Sequence, residues 1–271
     1  MEHTDKYVLA VDLGTSGPKT ALISVYGDVV DSEFQDTPVL LFPDGGAEQD
    51  PQGWWDAIVA TAKRVLGKNL VPPDDIVAVS VTTQWSGTVP VDRDGRHLMN
   101  GIIWMDCRGS EAVKDILKGP LKIEGYPLHK LLAWQRLTGG APARSGKDPI
   151  CHILWLKQTR ADLYRETYKF LEPKDYINLR LTGRFAATYD SILLHWVTDN
   201  RDPSRVSYND ALLKIAGIER EKLPDLIRAM DVLGPVKPEV ARELGLKDGT
   251  PVIGGTPDIP SAGVGSGAVR D

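Results

Sequence analysis

Asp12-Leu-Gly-Thr-Ser-Gly-Pro-Lys-Thr20 is the most informative segment of the chain. It resembles two phosphate loops and fits neither. A P-loop needs GxxxxGK[ST], and here Pro18 separates Gly17 from Lys19. P-loops and dinucleotide loops also open into a helix whose N-terminus holds the phosphate. Here the chain continues as Thr20-Ala-Leu-Ile-Ser-Val25 and then Gly27-Asp28, which read as strand and turn. The segment is therefore expected to be a tight turn between two strands. Its small residues leave backbone N–H groups and the Thr15 and Ser16 hydroxyls free to meet an anion. Asp12, at the strand end, is suited to the hydration shell of Mg²⁺. A plain hairpin turn with a capping aspartate reads the same residues equally well, because Gly, Ser and Thr dominate ordinary turns.

Working outward, Tyr7–Asp12, Thr20–Val25 and Val29–Glu33 read as a meander of strands. Asp50 is a good helix N-cap and Pro51 suits the first helical position. Trp54, Ile58, Ala62 and Leu66 then recur every four residues as the buried face. Strands come next at Ile76–Thr82 and Thr88–Asp92. The order β-β-β-α-β predicts an α/β fold: a mixed sheet with an antiparallel meander and helices packed over it. Residues 108–185 read mostly helical, as an insert, with helices at Ser110–Leu117, Leu128–Leu137, Ile150–Arg160 and Lys174–Leu181. A short helix is expected at Asn209–Ala216 and a strand at Val252-Ile253. The Gly-rich stretch from Pro260 to Val269 could begin a helix.

Composition excludes several classes. The 271 residues carry 32 Lys and Arg against 37 Asp and Glu, a formal charge of −5, so a basic nucleic-acid footprint is absent. No apolar run approaches the roughly 18 residues of a membrane span. The opening MEHTDKY has no signal-peptide core. Cys107 and Cys151 make no CxxC pair and rule out a disulfide scaffold, which fits a cytoplasmic location.

Further segments bear on function. These are Glu48-Gln-Asp-Pro-Gln-Gly-Trp-Trp55, Gln84-Trp-Ser-Gly-Thr88 with Val91-Asp-Arg-Asp-Gly95, and Ile102-Ile-Trp-Met-Asp-Cys-Arg108. Later come Pro173-Lys-Asp-Tyr-Ile177, Leu181-Thr-Gly183, Asp190-Ser191, Leu246-Lys-Asp-Gly-Thr-Pro-Val252 and Gly254-Gly-Thr-Pro-Asp258. With Asp12–Ser16 ahead of them, and in this order, they resemble the first half of the FGGY carbohydrate kinases, most closely the xylulokinase-like members. The resemblance implies a ribonuclease-H-like, actin-like ATPase fold. It implies transfer of the γ-phosphate of Mg-ATP to a hydroxyl of a sugar or polyol.

Residue by residue, the resemblance makes Asp258 the general base and Asp12 the partner of Mg²⁺. It puts Gly14, Thr15, Ser16, Gly17 and Lys19 at the ATP phosphates. It puts Gln84, Trp85, Ser86, Asp106 and Arg108 beside the sugar. Each has a competing structural reading. Asp258 could be a helix cap, Lys19 a solvated strand residue, Asp106 and Arg108 an ion pair opening a helix, and Trp85 a core tryptophan. Trp54, Trp134 and Trp155, at helical spacing, read as structural. The chain departs from the family where xylulokinases usually carry Met-His and this sequence has Trp85-Ser86. It departs again at Gly254-Gly-Thr-Pro257 and Ile259, around the expected base.

The implied organisation is a first, sugar-binding domain over 1–257, with a second domain beginning at 258–271. Family members run to roughly twice this length, so the chain alone is expected to bind ATP poorly and to transfer no phosphate at a useful rate. The apolar side of Ile259–Val269 is expected to lack its partner. The competing reading is a non-catalytic sugar- or nucleotide-binding member of the actin-like fold; a nucleotide-dependent structural protein is a third, with no polymer contacts to recommend it. A small-molecule sugar or polyol and ATP are the expected partners, and a homodimer is left open.

Overall fold

A computed structural model describes residues 5–268 of the chain. The meander forms as read: β1 (Tyr7–Gly14), β2 (Gly17–Ser24) and β3 (Val29–Phe34) are consecutive antiparallel strands. Helix α1 (Pro51–Leu66) comes next. The Asp50 side chain accepts the Gln52 amide at its start, and Pro51 fills the position where a lost N–H costs nothing. β4 (Ile76–Thr83) then pairs parallel to β1.

The sheet is completed late in the chain. β5 (Val232–Pro235) and β6 (Pro251–Ile253) give the order β5-β6-β4-β1-β2-β3, with β6 parallel to β4. A parallel neighbour needs a long crossover. Here that crossover carries the helices α2 (Gly109–Ile116), α3 (Leu128–Thr138), α4 (Pro149–Thr159), α5 (Ala161–Glu166), α6 (Pro173–Thr182), α7 (Asp210–Ala216) and α8 (Pro238–Leu244). α9 (Asp258–Gly265) leaves the end of β6. α5, α8 and β5 have no counterpart in the sequence reading; each is too short to show a period.

Helices lie on both faces of the sheet, unevenly. Leu9, Val11 and Leu13 of β1, Leu22 of β2, and Val79 and Val81 of β4 are buried against α1, α6 and α8. Trp54, Ile58 and Ala62 of α1 are buried as their spacing predicts, with Val65 rather than Leu66 as the fourth. Each large apolar side chain so buried contributes about 1.5–3 kcal/mol over exposure. α9 meets the opposite face, where Ser261 donates to Thr82 at 3.1 Å. Asp12 and Lys19, paired across β1 and β2, project on that sparsely covered side.

A second core lies beside the first. It gathers Val113 of α2, Trp134 of α3, Ile150 and Ile153 of α4, and Leu212 of α7. The insert expected over 108–185 is therefore bounded differently by packing. Ile177, Leu179 and Leu181 of α6 join the sheet core, while α7, beyond 185, joins the helical one.

Candidate active site

At the open end of the sheet, Gly14 and Gly17 close the β1–β2 hairpin and leave Thr15 and Ser16 at its tip. Gly17 has φ +139°, and a Cβ there would sit 2.0 Å from the Gln35 carbonyl oxygen. Only glycine lets the turn lie this close to the next strand. The Thr15 and Ser16 amides make no backbone hydrogen bond among the described residues, and Ser16 is exposed.

The Thr15 hydroxyl, expected to be free for an anion, is not. It donates to Gln84 Oε1 at 3.1 Å and accepts from Trp104 Nε1 at 3.0 Å. Gln84, expected at the sugar, is 2% exposed. Its Nε2 donates to Gln49 Oε1 at 2.7 Å, and Gln49 donates in turn to the Thr15 carbonyl at 2.9 Å. Gln84 and Gln49 thus fix the shape of the turn from beneath. Buried, with both ends of its amide engaged by Thr15 and Gln49, Gln84 does not line the cleft around Asp258.

Asp106 and Arg108 also depart from expectation. Asp106 is 1% exposed and accepts from the Ala47 amide, the Arg108 amide and Arg108 Nε at 2.8–2.9 Å. Arg108 reaches on to Glu48 Oε1 at 2.6 Å and stacks over the Trp155 ring at 4.1 Å. This is a sealed ion cluster joining the short strand Ala47–Gln49 to the start of α2. Both residues form the ion pair of the competing reading, at the start of α2, and neither lines the cleft around Asp258.

Trp85, Ser86 and Asp258 do line a common cleft. It has a volume of about 430 Å³, and Trp104, Lys147 and Leu194 close its other sides. Ser86 is held at φ +67°, a costly conformation for a residue with a Cβ, and donates to the Lys147 carbonyl at 2.8 Å. The indole of Trp85 reaches the Ser191 carbonyl at 3.4 Å. Trp104 is 43% exposed, with Lys147 Nζ 5.8 Å from its ring centre. Its N–H on Thr15 makes it the link between this cleft and the hairpin tip. Sequence reasoning singles out its charged neighbours Asp106 and Arg108 and passes over Trp104; an indole in a segment with two charged residues is the signal that could have found it.

Asp258 opens α9 at the C-terminal end of β6. Gly255, at φ +72°, brings the chain so close to β4 that a Cβ would lie 2.1 Å from the Val81 carbonyl oxygen. The Gly254 carbonyl is gripped by Lys174 Nζ at 3.0 Å and Asn178 Nδ2 at 2.9 Å. Lys174, wholly buried, also pairs with Asp175 at 2.7 Å, and Asp175 accepts from Ser191 Oγ at 2.8 Å. A buried polar chain from α6 therefore anchors both the segment before Asp258 and the residue behind Trp85. The Pro173–Ile177 and Asp190-Ser191 motifs contain it, but its pairings are tertiary and carry no local signal.

Partial burial raises the Asp258 carboxyl above the ordinary range, against the backbone amides of Ile259 and Trp85. Asp12 is likewise raised, first by desolvation and further by the Asp258 charge, while Lys19 lowers it. Asp12 makes no side-chain hydrogen bond or ion pair among the described residues. No group of three His, Cys, Asp or Glu there could hold a metal by itself.

The sequence model of the FGGY family of carbohydrate kinases, N-terminal domain, matches residues 7–265. The chain belongs to this family. It is 28% identical to the xylulose kinase of Bacillus subtilis over 277 aligned residues, covering 97% of this chain and 50% of that protein. It is 24% identical to the gluconokinase of the same organism, covering 97% of this chain and 48% of that protein. The ligand-bound xylulose kinase structure from Lactobacillus acidophilus superposes with a TM-score of 0.83 at 26% identity, over 97% of this chain and 50% of that one. The chain spans about half the length of the curated relatives it matches. The expected actin-like ATPase fold is the fold of these structures.

Proposed function

We propose that the chain forms the sugar-side half of an ATP-dependent carbohydrate kinase acting on a xylulose-like ketose or a polyol. The observation that carries this reading is the cleft of about 430 Å³ in which Asp258 faces Trp85 and Trp104. Indole faces suit the apolar faces of a sugar. The Asp258 carboxylate would accept the proton of the attacking hydroxyl as its oxygen bonds to the γ-phosphorus and ADP departs. Such a base contributes roughly 10²–10⁴-fold. A carboxyl raised by desolvation is the stronger base once ionised. The amides of Thr15 and Ser16 and the Ser16 hydroxyl would meet phosphate oxygens, with Lys19 nearby. Asp12, exposed and unpaired, fits the usual role of a carboxylate that holds Mg²⁺ together with substrate phosphates. The metal would neutralise charge on the transferring group.

Gln84, Gln49 and Trp104 act here as positioning residues for the hairpin tip. Trp85 and Ser86, where xylulokinases usually carry other side chains, are assigned to the choice of sugar. The division at residue 258 between the sugar-side domain and a second domain belongs to the same proposal, as does a cytoplasmic location beside the ATP pool. α9 then carries exposed Ile259 and Val264 as contacts for that second domain. Val269, the last residue of the expected apolar segment, lies outside the described residues.

The test is ADP release by the full-length protein over a panel of ketoses, aldoses and polyols. Sugar-dependent turnover on a ketose or polyol supports the reading. Saturable sugar binding without turnover would instead favour a non-catalytic binding protein.

A further inference from the structure

A second concave site lies away from the cleft and shares no residue with it. It has a volume of about 570 Å³, within the range of small-molecule sites, and is formed by the 92–97 turn, the C-terminal end of α6 and the start of α8. Its charged lining is Arg93, Arg96, Arg180 and Lys237 against Asp94. Four cationic side chains thus line the hollow against one carboxylate, with Asp50, Asp92 and Glu239 around its edge.

These cations are set in place but poorly neutralised. Arg180 stacks over the Trp55 ring at 4.6 Å, and its Nη1 donates to Gln52 Oε1 and to Tyr176 Oη, each at 3.0 Å. Both acceptors are uncharged, so the guanidinium is oriented while its charge stays available. Arg93 stacks over Tyr168 at 4.7 Å. Neither arginine has a carboxylate within 4 Å among the described residues. The ion pairs Arg96–Asp94, at 3.4 Å, and Lys237–Glu239, at 3.6 Å, are long and exposed. Such pairs are worth little.

The neutral groups add hydrogen-bond direction. Arg180 can only donate, so the Tyr176 hydroxyl accepts from it, and the same hydroxyl lies 3.1 Å from His97 Nδ1. His97 Nε2 lies 3.9 Å from Asp50 Oδ1. Burial, and secondarily Arg180, hold His97 below its ordinary range, while Asp50 raises it. The turn is rigid: Asp92 Oδ1 accepts the Asp94 and Arg96 amides, both at 2.9 Å.

The geometry points to a binding site for a small phosphorylated molecule, a phosphate monoester or pyrophosphate, held by Arg93, Arg180 and Lys237. Oriented guanidinium groups recognise phosphate oxygens by paired, charge-assisted hydrogen bonds. The site lies at one end of α6, whose other end grips Gly254 ahead of Asp258.

The experiment is calorimetric titration of the 271-residue chain with pyrophosphate and with inorganic phosphate at low ionic strength, without magnesium. It is run on the parent, on Arg93→Gln/Lys237→Gln, and on Lys19→Gln. Both positions of the double variant are on the surface or half-buried, and circular dichroism checks that it folds. The expected result is saturable binding of pyrophosphate, tighter than phosphate. The double variant should weaken it by about tenfold or more, the size of lost charged hydrogen bonds, and Lys19→Gln should leave it within twofold. No binding by the parent, equal affinity in a folded double variant, or loss in Lys19→Gln alone would each overturn the proposal. The last would trace the heat to the hairpin tip.

Discussion

Asp258 and Asp106 both sit in motifs of the same family, and their surroundings are opposite. Asp106 is sealed: its oxygens accept three N–H groups, and Arg108 carries its charge on to Glu48. Asp258 is half-buried at a helix start, with no cationic partner among the described residues and a cleft before it. A charged residue in a motif therefore has two fates. One that is saturated by the protein builds the wall; one left short of partners is available for chemistry. Gln84 and Trp85 repeat the contrast one residue apart, the first committed to Thr15 and Gln49, the second lining the cleft.

The largest expected effect breaks the wall. Asp106→Ala strands Arg108 in a buried site with only Glu48, and loss of one partner from such a cluster costs about 3–5 kcal/mol. Urea unfolding of the chain should show that loss, while Asp258→Ala should cost about 1 kcal/mol or less. Similar costs for the two would erase the distinction drawn between them.

A smaller effect sharpens the contrast at the neighbouring pair. Trp85→Met should change the ratio of kcat/KM between two sugars by roughly 10–200-fold, the range that pocket shape commands. Equal loss on every sugar would make Trp85 a packing residue, as Gln84 is.

The next prediction concerns the second core and its border. His152 and His195 are fully buried; desolvation holds them neutral, down to about 4 and about 3. The unfolded chain binds protons at these positions that the folded chain refuses, so stability should fall as pH drops below about 6.5 towards 4. Each contributes a slope of up to about 1.4 kcal/mol per pH unit. Glu172 acts in the opposite sense. Its buried carboxyl, which accepts the Gly87 amide at 2.8 Å, is raised well above the ordinary range by desolvation, so its contribution is present at low pH and lost as pH rises. Glu172→Gln should therefore make stability rise more steeply with pH between about 4.5 and 6.5. An unchanged slope in denaturation series across that window would remove Glu172 from the account.

The sequence carried the strand meander and α1 with its Asp50–Pro51 start, because each depends on local spacing or capping; the helix expected from Pro260 starts two residues earlier, at Asp258. Motif order singled out Asp258 and Trp85, which line one cleft, and the hairpin tip, which lies at the sheet end. It could not show that Thr15 meets Gln84 and Trp104, residues 69 and 89 positions away. Nor could it show that Lys174 and Asn178 reach Gly254, or that Arg108 finds Glu48. Those pairings exist only once the sheet has formed. They decide which motif residues remain open, and so the chemistry assigned to each was the least legible part.

The most direct test of the central claim compares Asp258→Asn with the parent in the full-length protein, by steady-state ADP release on its best sugar. With Asp258 as the base, kcat should fall by about 10²-fold or more while KM stays within a few-fold and the melting temperature is unchanged. A variant that keeps the parent's kcat would contradict the assignment of Asp258 as the base.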